Sequence, residues 1–105
     1  MASKHEIEMD FKRAKDQARK LEAAAESLNN LSKNKFNGTL QSISNSWKGD
    51  SANLYLKKGA VLQEQMTSTA LELNSIASDI RRIAEKIYEA EMRNWERARR
   101  RRHRN

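Results

Sequence analysis

Three observations predict an all-α fold, an antiparallel two-helix hairpin. The chain has no proline, abundant Ala, Leu, Glu, Lys, Arg and Gln and no β-branched runs, which is the composition of long helices. Two long stretches repeat apolar residues at alternating spacings of four and three, the stripe that packed helices bury. Between them, near the midpoint, Trp47-Lys48-Gly49 interrupts the pattern. With 37% hydrophobic and 33% charged residues among 105, the composition disfavours a large globular core and predicts one elongated helical domain.

The first arm is expected over about residues 3–45. Ser3 followed by Glu6 has the spacing of a capping box, in which the serine oxygen takes an orphan amide of the first turn. Ile7, Phe11, Ala14, Ala18, Leu21, Ala25 and Leu28 then form an unbroken four-three stripe. After Leu28 the phase slips: Phe36, Leu40, Ile43 and Trp47 continue the rhythm displaced by one position. The slip falls in NNLSKNKFNG, rich in poor helix formers, and predicts a kink or fray near residues 30–38 within one continuing helix.

The second arm is expected over about residues 50–97, with Asp50 or Ser51 as N-cap. Leu62, Met66, Thr69, Leu73, Ile76, Ile80, Ile83, Ile87 and Ala90 mark its seam, extended toward the turn by Tyr55 and Gly59. Arms of this length reach roughly 60 to 70 Å, and a short connection makes them antiparallel. Gly49 allows the backbone to reverse, and Trp47 is placed to fold its indole over the open tip of the seam.

Net charge is unevenly spread. From Arg93 to Arg104 seven arginines face Glu96 alone, a net of +6, while residues 1–92 contribute +1. The predicted organisation is a hairpin over residues 1–96 and a basic tail over 97–105. No cysteine is available for disulfides or thiolate metal sites. His5 and His103 stand in charged terminal segments, and no phosphate loop, paired-histidine spacing or nucleophile motif occurs, so neither enzymatic activity nor a cofactor is expected. The N-terminal residues lack a signal-peptide core, and no apolar run approaches the ~20 residues of a membrane span.

Length, arm lengths, start and the central Trp47-Lys48-Gly49 together resemble the WXG family, the ESAT-like small helical hairpins of bacterial type VII secretion. The resemblance covers nearly the whole chain. It implies hairpins that dimerise antiparallel into four-helix bundles and leave the cell through a membrane-bound ATPase, alone or as escorts for cargo. Typical exported members carry a tyrosine followed four residues later by an acidic residue near the end of the second helix. Here the fourth residue after Tyr88 is Met92, and after Trp95 it is Arg99. That departure resembles the branch of small helical partners of LXG-domain toxins, which pack on the toxin's long helical N-terminal domain, keep it export-competent and supply the signal jointly. The function this implies is that of a targeting partner or chaperone. It implies a chain that is cytoplasmic first and then secreted without a leader in complex with its partner, with or without a second small helical protein.

Two candidate partner surfaces follow from spacing. Ala70, Ala77 and Ala84 recur at intervals of seven beside the main seam, with Leu56 continuing the line, a small-residue ridge on which another helix fits closely; the alternative is alanine serving helix propensity on a solvated face. Tyr88, Met92 and Trp95 form a second line at spacings of four and three, an exposed contact patch or else a set that packs on the first arm around Ile7 and Met9. The basic tail, Arg97, Arg99, Arg100, Arg101, Arg102 and Arg104, supports a different class of function, salt-dependent nucleic-acid binding. It also suits an acidic protein surface or anionic lipid.

Overall fold

Ser3 starts the first helix as its side chain dictates: its Oγ accepts the Glu6 amide at 3.1 Å, and its carbonyl accepts the Ile7 amide at 3.0 Å. The computed structural model describes residues 2–104, with side chains through Arg102. Helix α1 (Lys4–Asn30) passes into a π-helical segment (Leu31–Phe36) and then α2 (Asn37–Ser46), with right-handed helical backbone at both junctions. Trp47, extended at φ −110° and ψ 138°, ends this arm. Helix α3 runs from Asp50 to Arg104. The described residues contain no strand, and the connectivity is that of a helical hairpin.

The phase slip read from the sequence has a structural form. A π turn accommodates about one residue more than an α turn, so Leu31–Phe36 absorbs the displaced position and returns Phe36, Leu40 and Ile43 to the partly buried side of the arm. The helix continues through the slip. The Asn37 amide reaches back to the Ser32 carbonyl, five residues earlier. A register mismatch that would rotate the stripe into solvent is thereby cancelled.

At the turn, Gly49 has φ +107°, a conformation that side chains with a Cβ rarely adopt. Its carbonyl accepts the Asn53 amide at 3.1 Å. The expected cap is therefore corrected by one position: Asp50 already lies in the first turn of α3, where its charge suits the helix dipole, and Gly49 precedes the helix. Helix α3 continues through the arginine-rich segment to Arg104, beyond the minimum of Arg97 read from the sequence, so the basic tail is helical.

The chain divides into two units, Leu21–Ser75 around the turn and Met1–Lys20 with Ile76–Asn105 around the termini. Within the turn unit the arms pack by close approach. Leu40 sits over Gly59, where an added Cβ would come within 2.3 Å of Leu40 Cδ2. Ala25, Ala52, Gly59 and Ala70 are buried, as is Ser32, whose carbonyl accepts a hydrogen bond from Gln63 Nε2 at 2.9 Å. Within the terminal unit the arms pack by large side chains as well. Phe11 and Tyr88 stack at 4.6 Å with 20° between the rings, and the Lys4 ammonium lies 5.6 Å from the Trp95 ring. Ile7, Ala18 and Ala77 are buried there.

The α3 seam needs a correction. Half of it stands as read: Gly59 is buried, and Met66, Leu73 and Ile80 are partly so. The other half does not. Leu62, Ile76 and Ile83 remain 44%, 48% and 48% exposed, while Ala70 and Ala77, one heptad position over, are wholly inaccessible. Two neighbouring stripes on α3 share the four-three rhythm, and hydrophobicity alone favours the stripe with isoleucine. Helices approach most closely through small side chains, so alanine and glycine take the interface and the larger groups move to its flank.

Candidate protein-docking surface

The predicted small-residue ridge is an internal seam. Ala70 and Ala77 are fully buried, Ala84 and Leu56 half-buried, so this line serves the chain's own helix packing and does not present an open ridge to another helix. The second predicted line is also largely engaged. Tyr88 stacks on Phe11, and Trp95 receives Lys4 as well as Arg99, whose Cζ lies 5.5 Å from the ring. Tyr88 and Trp95 therefore pack on the start of the first arm. Met92 lies in a shallow depression with Arg93, Glu96, Arg97 and Arg100.

What the seam leaves uncovered is apolar. In the terminal unit, Ile83 and Ile87 are about half exposed and border a groove of about 310 Å³ with Ile7, Phe11, Ile80 and Tyr88. Asp10 and Glu91 stand among the groove residues. An apolar floor with a few polar groups has the anatomy of a docking surface. Ile76 extends the exposed set along α3. In the turn unit Trp47 is 53% exposed and meets Tyr55 edge-on at 5.8 Å, with Leu54, Val61 and Leu62 also exposed. The indole thus rests against Tyr55, a residue of the seam read from the sequence, while half of it stays exposed. The sequence reading assigned Ile76, Ile83 and Ile87 to the interior; their large size beside a line of alanines was the available signal that they flank the contact.

Among the described residues, no group of three or more His, Cys, Asp or Glu side chains is placed to hold a metal. Asp10 pairs with Arg13, Asp16 with Arg19, Asp79 with Arg82 and Glu96 with Arg99, each an i,i+3 pair on a helix surface. Such exposed pairs contribute little stability.

An aromatic-x-glycine turn between two long helices is therefore combined with an uncovered apolar flank. The family profile described as "WXG100: Proteins of 100 residues with WXG" matches residues 6–92. The chain belongs to the WXG100 family. Comparisons with curated proteins and with solved structures gave no match. As a WXG100 member it is a small helical protein related to type VII secretion, and its family is a non-enzymatic, secretion-associated one whose members form protein–protein complexes and are secreted through type VII systems. No helix among the described residues of this WXG100 protein is long and apolar enough to cross a membrane.

Proposed function

We propose that this WXG100 protein is a targeting partner or chaperone that packs on the helical N-terminal domain of a larger exported protein of the LXG toxin class and helps deliver it for export. It would assemble in the cytoplasm and leave the cell with its cargo. The observation that carries this reading is the exposed isoleucine flank of α3 in the terminal unit, with the adjoining groove lined by Ile7, Phe11 and Ile80. Each half-exposed isoleucine offers about 1 kcal/mol on full burial. A helix laid along that flank supplies the third layer that a pair of arms lacks.

The absence of an acidic residue four positions after Tyr88 fits a chain whose export signal is completed by its partner. Helix pairs with seams of alanine and glycine bury little area per residue, which is consistent with stability acquired on assembly.

Co-expression with the long-helical N-terminal domain of a neighbouring LXG-type protein tests the proposal. The wild-type chain is expected to co-purify in a defined, salt-resistant complex, and an Ile83→Asp, Ile87→Asp variant to bind at least about tenfold more weakly while keeping its helicity. A complex indifferent to both substitutions, or a stable homo-oligomer that ignores the neighbour, would overturn it.

A further inference from the structure

The helical course of the basic segment changes what its arginines can do. Helix α3 extends through Arg104, so the charges are ordered by helical phase and not spread along a coil. Successive residues turn by about 100° and rise by about 1.5 Å. Arg93, Arg97, Arg100 and Arg101 consequently fall within one sector of about 100° and span about 12 Å along the helix. All four are exposed. None has an ion-pair partner among the described residues, because Glu96, the acidic residue within the segment, pairs with Arg99 at 3.9 Å. Arg99 and Arg102 belong to a different environment, a polar pocket of about 330 Å³ formed with Ala2, Ser3, Glu6 and Trp95.

The segment thus separates its arginines into a set engaged near the start of α1 and a set aligned and unpaired. Arg97 and Arg101 are like charges at i,i+4, an arrangement that destabilises a helix by a few tenths of a kcal/mol until a counter-charge is supplied. Protein-docking surfaces of ordinary strength place apolar anchors at their centre. The aligned stripe has no large apolar anchor of its own between Arg93 and Arg101: Trp95 is occupied by Lys4 and Arg99, Ala98 is half-buried in the polar pocket, and Met92 borders the stripe from the shallow depression it shares with Arg93, Glu96, Arg97 and Arg100. A stripe of guanidinium groups without an apolar centre matches a partner of dense, regular negative charge. Duplex DNA has that property, with one phosphate charge per about 1.7 Å of axis, and guanidinium forks suit phosphate oxygens.

We propose that the Arg93, Arg97, Arg100 and Arg101 face of α3 is a sequence-independent binding surface for the phosphate backbone of duplex DNA, an activity separate from the apolar flank that engages a protein partner. Neutralising four phosphates sets a slope near −3.6 for log affinity against log salt, which is about 150-fold between about 50 and 200 mM.

The test is fluorescence anisotropy of the full chain with labelled duplexes of two unrelated sequences across a salt series. Equal affinity for both sequences and the steep slope are expected. The Arg93→Gln, Arg97→Gln, Arg100→Gln, Arg101→Gln variant is expected to lose more than about tenfold at low salt and flatten the slope, whereas Arg99→Gln, Arg102→Gln changes affinity by less than about threefold; circular dichroism confirms that both remain helical. Absence of binding at low salt, equal losses in the two variants, or displacement of the duplex as effectively by polyglutamate at matched charge, which marks an acidic protein surface as the partner, would each overturn the proposal.

Discussion

The two units solve the same packing problem with different materials. Around the turn, Leu21–Ser75 relies on the absence of side chain: Gly59 receives Leu40, Ala52 and Ala70 are buried, and a hydrogen bond from Gln63 to the Ser32 carbonyl joins the arms. Around the termini, Met1–Lys20 with Ile76–Asn105 adds aromatic surface, the Phe11–Tyr88 stack and the cations over Trp95. The difference teaches that at Gly59 the turn-end seam is limited by steric exclusion, where an added Cβ has to displace Leu40, whereas the terminal seam depends on side-chain area, where removing atoms matters most.

The largest effect expected from this contrast is at Gly59. A Gly59→Leu substitution overpacks the Leu40 contact and is expected to destabilise the full chain by about 1–3 kcal/mol, read as a shift in urea midpoint by circular dichroism. Gly38→Ala provides the control, since nothing lies within 4 Å of a Cβ there, and improved helix propensity should stabilise by up to about 1 kcal/mol. If Gly59→Leu is as benign as Gly38→Ala, steric exclusion does not govern the turn unit.

Next in size, Phe11→Ala removes one side of the aromatic stack. Because both rings are only part-buried, the expected cost is about 2 kcal/mol, below the range for a fully buried phenylalanine. Phe11→Leu should recover most of it. Recovery with leucine would show that area matters more than ring stacking, and failure to recover would sharpen the role of the stack itself.

The smallest effect concerns the π-helical segment. Deleting Asn34 removes the residue that the wider turn accommodates, so α1 and α2 should join as one regular helix with both stripes still in phase. Stability is expected to stay within about 1 kcal/mol of wild type, the scale of one hydrogen bond, with any loss traced to the Gln63–Ser32 contact by comparison with Gln63→Leu. Unfolding of the turn unit on deletion would show that the extra residue does more than restore register.

Helix class, arm boundaries within a few residues, the Ser3 cap, the position of the turn and the phase slip after Leu28 were all legible in the sequence, because capping chemistry, propensity and apolar period are local properties. The first-arm stripe was legible for the same reason, as it had no competing neighbour. On α3 two stripes of equal period lie side by side, and period alone does not rank them. The candidate surface was therefore misassigned: Ala70 and Ala77 looked like an outward ridge, and Ile76 and Ile83 looked like core.

By itself, then, the sequence determined a helical hairpin of the WXG100 kind, with a near-neutral body, a strongly basic end and no acidic residue four positions beyond Tyr88. Only the tertiary structure decided which face of α3 is interior, that the slip becomes a π-helical segment, and that the arginine segment is an ordered helical stripe. The physical reason is that local preference follows the order of residues along the chain, whereas the choice between two equally periodic faces depends on how closely two backbones approach.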